Sequence, residues 1–420
     1  MERSSPVRPS SADRIGSSPL AARAPERDHS YYRSALAREK LPVAFVDLDA
    51  FGANLALLRQ RANGLPIRLV TKSIRSVGII RRVLAADPLF QGLLCYSGGE
   101  AAWLASQGFD DLVVAYPSVE PTDVRAVAAQ VRAGRSITLM VDSVEQIEKL
   151  SAIAQTEQVT LPLSIDLDMS SDYPGIHFGP FRSPVNGPVA AVALAAEVAR
   201  RPGVRLDGLM GYEGQIAGLM DDEPGKGLKN RILRYLKRRS IAEVNTRRRD
   251  TVAALAQAGH RLRFVNGGGT GSFESTRQDT SVTELAAGSG LYVPTLFDHY
   301  AAFRAQPAAG FALAVTRVPK PGMVTCSGGG YCASGPAGKN RLPQPWLPAG
   351  CSLLDNEGAG EVQTPVVLPR GVRLEIGDPM LFRHAKAGEL CERFTELVLI
   401  EDGAIVDRVS TYRGDGQCFF

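Results

Sequence analysis

Pro66-Ile-Arg-Leu-Val-Thr-Lys72-Ser-Ile-Arg-Ser-Val77 is the stretch from which the fold is read. It joins a short apolar run, Pro66 to Val70, to a helical pattern that begins near Val77, with a lone lysine at the junction. A run this short, closed by a polar residue and followed by a helix, reads as a buried strand of a parallel sheet. The unit recurs in both directions. Strand-like runs stand at Ala44–Asp47, Ile67–Thr71, Gly92–Tyr96, Leu112–Ala115, Ile137–Val141, Pro162–Asp166, Leu206–Tyr212, Arg263–Asn266 and Val282–Ala286. Amphipathic segments such as Asp49–Ala62, Gly99–Gln107, Pro121–Ala133, Val144–Ala154, Val189–Arg200 and Lys229–Ala258 separate them. Alternation at about 25 to 35 residues, sustained about eight times, is the pattern of an α/β (β/α)8 TIM-type barrel. An open doubly wound sheet shares the period, and the number of units favours the barrel.

Near Thr295 the helical spacers stop. Phe311–Val318, Gly322–Cys326, Glu361–Leu368, Val372–Glu375, Met380–Phe382, Glu396–Glu401 and Ala404–Tyr412 are strand-like runs parted by Gly and Pro. Residues 39–300 therefore read as the barrel and 301–420 as a β-rich C-terminal domain, joined by strand 43–47 if that strand pairs with the latter. Cys326 to Pro348 reads as a long Gly/Pro-rich loop. Residues 1–38, rich in Arg among Ser, Pro and Ala, read as a disordered tail with a short helix near Tyr31 to Lys40.

The 420 residues are 44% hydrophobic and 22% charged, an ordinary globular composition. The net charge of +4 is concentrated in the tail and in Lys229 to Arg249. Neither cluster is interleaved with aromatics, so both read as solvated surface and not as a nucleic-acid face. No apolar stretch approaches the roughly 20 residues that span a bilayer, and Ser4 to Arg38 lacks the apolar core of a signal peptide. Six irregularly spaced cysteines fit a reducing cytoplasm.

Lys72 closes a barrel strand at the end where active sites are built. Desolvated there, its amine attacks a carbonyl and forms a Schiff base; the plainer reading is a surface lysine. Asn266-Gly-Gly-Gly-Thr-Gly-Ser272 follows a late strand and presents backbone N–H groups and two hydroxyls to an anion, although it matches neither the dinucleotide nor the Walker pattern. Ala287-Gly-Ser-Gly290 stands ready to complete the cup. A Schiff-base lysine opposite a phosphate cup points to pyridoxal 5'-phosphate, and a cofactor-free Schiff-base sugar aldolase is the alternative.

The landmarks in this order resemble the alanine-racemase-type fold of pyridoxal phosphate enzymes, within it the D-threonine aldolase and D-serine dehydratase group. The carrying segments are Pro42-Val-Ala-Phe-Val-Asp-Leu-Asp49, Val70-Thr-Lys-Ser73, Gly211-Tyr-Glu-Gly214, Asn266-Gly-Gly-Gly-Thr-Gly271, Thr283-Glu-Leu-Ala-Ala-Gly-Ser289, and a late His384 with Cys391. The resemblance covers about residues 40 to 415 and implies a barrel, a β domain, and a homodimer. It makes Lys72 the Schiff-base residue and catalytic base. Gly268, Gly269, Thr270, Gly271 and Ser289 would hold the phosphate, and Tyr212 would lie near the pyridine ring. Arg182, after the Pro162–Asp166 strand, is a candidate for contact with cofactor or substrate carboxylate. His177 beside it is a candidate to stack on the ring, to hydrogen-bond the ring oxygen or to act as a second catalytic base, or else is a structural loop histidine; Asp166 or Asp168 would orient their loop.

In these relatives a histidine and a Cys or Asp two residues later bind a divalent metal (Zn, Mn or Mg) that polarises the substrate β-hydroxyl. Here Lys386 follows His384 at that interval, which is a departure. Cys391 and Glu389 are the other candidate ligands, and Lys386 is itself a candidate fixed charge. The function implied is a lyase acting on a β-hydroxy D-amino acid, by retro-aldol cleavage or by dehydration and deamination. A racemase or decarboxylase on the same fold would need a second base, for which Tyr331 is the candidate. A non-catalytic pyridoxal-phosphate-binding protein would lack the β domain. Cys326, Cys332 and Cys351 lack a fourth partner for a zinc site. Asp298 and His299 read as a linker.

Overall fold

The computed structural model describes residues 27–419. Of the expected tail, residues 1–26 lie outside the described residues. Residues 27–38 are not a tail. Asp28 caps the helix His29–Ala35 by accepting the Tyr31 N–H. Tyr32 is fully buried and donates to Asp47 at 2.8 Å, and Arg27 bridges to the same carboxylate at 2.6 Å. Tyr32, Leu36, Phe45 and Trp346 form a small apolar cluster that pins this segment to the β domain.

Eight parallel strands form a closed barrel: Ile67–Val70, Phe90–Cys95, Leu112–Pro117, Ile137–Val141, Leu161–Asp166, Val204–Gly211, Phe264–Gly267 and Glu284–Ala287. The last pairs with the first, Leu285 with Ile67 and Ala287 with Leu69, which settles the closure that periodicity leaves open. A buried ion pair spans this seam: Arg68 donates from Nε and Nη2 to Glu284 at 2.6 and 2.8 Å. Leu94, Val113, Met140, Met210, Phe264 and Ala286 fill the interior. Gly208 makes room for one of them, since a Cβ there would lie 2.3 Å from the Phe264 ring.

Strand Val43–Asp47 leaves the barrel to the β domain. It pairs antiparallel with Ala309–Lys320 and parallel with Glu396–Glu401 inside a nine-stranded sheet. Two expectations for this domain fail. Val372–Glu375 is not a strand, because Gly371 and Gly377, both at positive φ, turn the chain on either side of it. Gln344–Leu347, within the expected loop, is a strand paired with Pro379–Arg383. The β domain meets the barrel mouth through the 3-10 segment Ala387–Glu392. Gly388 packs so closely on the Lys72 backbone that a Cβ would fall 1.7 Å from the Lys72 carbonyl oxygen. Among the described residues no helix is long and apolar enough to cross a membrane.

Candidate active site

Lys72 sits in the 3-10 turn Thr71–Ser73 that ends the first barrel strand. Its Nζ donates to the Tyr116 hydroxyl at 2.7 Å, at the end of the third barrel strand. The side chain is not desolvated as expected; it is exposed to a cavity at the barrel mouth. Arg182 lies 5.0 Å from the Tyr116 ring centre and 5.5 Å from that of Tyr212. It is held there by Asp166 at 3.1 Å and by the Ala115 carbonyl at 3.1 Å. Burial raises the Tyr116 phenol, but the Lys72 ammonium and the Arg182 guanidinium outweigh it and hold the group below its ordinary range. Burial pushes Asp166 up to about 6 against the pull of Arg182. Burial likewise raises Tyr212, against Lys72.

The glycine loop faces Lys72 across the cavity. Gly268 adopts φ +80°, and its N–H is not free for an anion, because it donates to Glu213 at 3.0 Å. Glu213 also accepts from the Thr276 hydroxyl and pairs with Arg248 at 3.3 Å. Arg248, fully buried, reaches Asp279 at 3.0 Å and the Gly211 carbonyl at 3.0 Å. A buried charge network therefore props up the loop from beneath. Gly269 lines the cavity with its N–H on Ser272, and a Cβ there would crowd Ala217 and the Tyr212 ring at 3.0 and 3.2 Å. Gly271 does not line the cavity; it packs behind, where a Cβ would meet the Ala217 carbonyl at 2.3 Å. Among the described residues no protein acceptor takes the N–H groups of Thr270 and Gly271. The Thr270 hydroxyl accepts the Gly290 N–H at 3.1 Å, and the hydroxyls of Ser73 and Ser289 stand 3.0 Å apart.

An amine at one wall, hydroxyl and N–H donors at the other, an aromatic side and a guanidinium form a donor set that fits a planar phosphorylated aldehyde. A larger outer cavity opens from the same place. It shares Lys72, Ser73 and Tyr212 and extends to Tyr331, His384 and Lys386.

A family model described as alanine racemase, N-terminal domain, matches residues 46–295. The chain belongs to this family. It is 27% identical over 252 residues to a 3-hydroxy-D-aspartate aldolase of Paracoccus denitrificans (strain Pd 1222), covering 59% of each chain. It is 26% identical over 260 residues to a D-threonine aldolase of Arthrobacter sp, covering 60% of this chain and 61% of that one. The match spans about three fifths of the length of these curated relatives. Solved structures share the fold over both domains. D-threonine aldolase from Filomicrobium marinum has a TM-score of 0.76 at 21% identity, covering 91% of this chain and 97% of its own. D-threo-3-hydroxyaspartate dehydratase from Delftia sp. HT23 has a TM-score of 0.72 at 19% identity, covering 90% and 98%. A mutant of a D-threo-3-hydroxyaspartate dehydratase is known in a metal-free form.

Of the residues singled out in this family member's sequence, Lys72, Arg182, Tyr212, Gly268, Gly269, Thr270 and Ser289 come together around the inner cavity. His177 does not. Its hairpin, Ser171–Tyr173 with Ile176–Phe178, holds it outside, stacked on Phe181 at 3.9 Å and hydrogen-bonded to Asp172 at 2.7 Å. Cys391 is not brought to the cavity with His384. It is buried with Sγ on the Ile74 carbonyl at 3.2 Å, and burial pushes its thiol up to about 12. His384 lines the outer cavity, and burial, with Arg383 beside it, brings its imidazole down to about 3. Asp298 ties Arg383 to the barrel's end at 2.6 Å. All six cysteines are free, and among the described residues no group of three or more His, Cys, Asp or Glu is placed to hold a metal. Tyr116 and Glu213 were missed. Tyr116 is the polar end of an apolar strand, the same signal that marked Lys72.

Proposed function

We propose that the protein is a pyridoxal-phosphate-dependent lyase that cleaves a β-hydroxy D-amino acid, by retro-aldol cleavage or by dehydration. The observation that carries this reading is the Lys72 amine, paired with Tyr116, across one cavity from the unclaimed donors of Thr270 and the hydroxyl of Ser289. Lys72 would bind the cofactor aldehyde; Thr270 and Ser289 would cradle its phosphate, and Tyr212 would lie against its ring. When bound, the cofactor supplies an electron sink for negative charge at the substrate Cα.

The chain's own residues supply the rest. The Lys72 amine would serve as the base at the substrate Cα, and the Tyr116 hydroxyl at 2.7 Å would give its proton a second resting place. Arg182, fixed by Asp166, offers a guanidinium to a carboxylate or to a ring oxygen. The β-rich domain meets the barrel mouth at Gly388, packed against the Lys72 backbone. A homodimer belongs to the same proposal and is checked by the mass of the protein in solution.

The test is product analysis of the cofactor-loaded protein with β-hydroxy D-amino acids. Glycine plus an aldehyde identifies the aldolase, and a 2-oxo acid plus ammonia the dehydratase. Inversion at Cα without cleavage would replace both with a racemase. A wild-type protein that takes up no cofactor, or a Lys72→Ala variant with the same visible absorption as wild type, would overturn the reading.

A further inference from the structure

The resemblance implies a divalent metal on a histidine and on the residue two positions later, and the donors present here do not fit one. His384 does offer an imidazole. It is only 4% exposed and lines the outer cavity; the Ala387 backbone approaches its ring, and no side chain among the described residues hydrogen-bonds either ring nitrogen. The second position carries an ammonium in place of an anionic ligand. Lys386 donates to the Ser334 hydroxyl at 2.6 Å and lies 3.6 Å from Glu389. The Glu389 oxygens are already taken, one by the Ser334 N–H at 2.9 Å and one by its hydroxyl. Cys391 points to the Ile74 carbonyl. A fixed cation in the ligand position repels a second cation, and hard or borderline metals need anionic or neutral donors there.

The same corner suits an oxygen. A buried imidazole nitrogen left unpaired costs about 1–3 kcal/mol, which a ligand hydroxyl recovers. An ammonium at the rim stabilises charge that develops on that oxygen. The cavity that His384 and Lys386 line is continuous with Lys72 and Tyr212. The outer cavity has room for a substrate side chain that leaves the Lys72 end of the site toward this corner.

We propose that His384 and Lys386 receive the side-chain oxygen of the substrate directly, in the place where the relatives hold a metal. The identity of that substrate rests on the lyase reading; the absence of a stoichiometric metal does not.

The test uses the full-length, cofactor-loaded protein, stripped with chelator and then titrated calorimetrically with Mn²⁺ and with Zn²⁺, with elemental analysis of the product. Wild type is expected to take up no stoichiometric metal. Lys386→Cys and Lys386→Asp are each expected to gain one site per chain, which a further His384→Ala removes. Lys386 is half exposed, so both substitutions are compatible with folding. Uptake of one metal by wild type through His384 would overturn the proposal, as would failure of both Lys386 variants to gain a site. In parallel, wild-type turnover of a β-hydroxy D-amino acid should be indifferent to chelator, and that of Lys386→Asp should be sensitive to it. If wild type turns over no such substrate, the lyase reading and the oxygen assignment fall together, while the metal titration still reports on the site.

Discussion

Lys72 and Tyr116 stand on barrel strands separated by one other, and the lysine Nζ donates to the tyrosine hydroxyl across 2.7 Å. Strands of a parallel barrel deliver their C-terminal residues to one rim, so two residues 44 positions apart in sequence become neighbours. With Arg182 also over its ring, Tyr116 is held below the ordinary phenol range despite burial. A hydroxyl so placed accepts a hydrogen bond from the lysine and is the nearest site for its proton. Tyr116→Phe is expected to keep the visible absorption of the bound cofactor and to lower kcat by on the order of 100-fold, with a smaller change in KM. The basic limb of its pH–rate profile should move as well. A variant with wild-type kcat and an unmoved profile would reduce Tyr116 to a spacer.

Arg248 and Glu213 lie under the glycine loop, both essentially without solvent exposure. Removing one partner of a buried, hydrogen-bonded charge set leaves the others unpaired, at a cost of about 3–5 kcal/mol. Glu213 also takes the Gly268 N–H, so its loss should loosen the loop that faces Lys72. Glu213→Ala is expected to lower the unfolding free energy by that amount and to speed cofactor release. The two are measured by denaturant unfolding and by the decay of cofactor absorption on dilution. A loss of stability with unchanged release would separate the network from the loop.

The barrel was legible because each strand ends in a change of period, from a short apolar run to an amphipathic helix. Lys72 and the run Gly267 to Gly271 stood out because a polar or glycine-rich break at a strand end has few purely structural uses. Closure was not legible, since it depends on the pairing of Leu285 with Ile67, more than two hundred positions apart. Nor were the partners of the site. Glu213 follows Tyr212 in the sequence like any polar neighbour, and only the fold turns it under Gly268. His177 misled for the converse reason. A histidine in a Pro- and Gly-rich loop after a barrel strand looks catalytic, but a hairpin of two three-residue strands carries it away from the cavity. Residues 27–38 read as tail with a short helix; the helix is present at His29–Ala35, and its anchoring is not legible because Asp47, the partner of Tyr32, lies beyond the local window.

Glu100 gives stability a pH dependence of defined sign. It is fully buried, accepts from Tyr96 N–H at 2.7 Å and Tyr412 hydroxyl at 2.9 Å, and burial pushes it from 4.5 up to about 7. Between those values the folded chain holds a proton that the unfolded chain has released. Its contribution, about 3 kcal/mol at most, is present below pH 4.5 and is lost as pH rises through about 7. Asp166 acts in the same direction between 3.8 and about 6. His384, lowered from 6.5 to about 3, acts oppositely: its contribution is present above 6.5 and is lost as pH falls. The difference between wild type and Glu100→Gln isolates the glutamate. Relative to wild type, Glu100→Gln should gain stability from pH 5 to pH 8. Parallel stability curves for the two proteins would contradict the assignment.

Arg68 and Glu284 close the barrel, and their pair should behave as a coupled unit. The guanidinium also donates to the Asp111 carbonyl at 2.6 Å, and Glu284 accepts from Asn266 at 2.9 Å, so neither charge is replaceable alone. Arg68→Met leaves Glu284 buried with only a neutral donor and is expected to cost about 3–5 kcal/mol. Arg68→Lys is not conservative here, because one ammonium cannot reproduce the two-point contact with Glu284 and also reach Asp111. Two buried methionines fill similar volume without an unpaired charge, so Arg68→Met with Glu284→Met should cost less than the two single changes added together. A coupling on the order of 2 kcal/mol is expected from a double-mutant cycle read by denaturant unfolding. Additive losses would mean that the hydrogen-bonded strands close the barrel unaided, with the ion pair as a passenger at the seam.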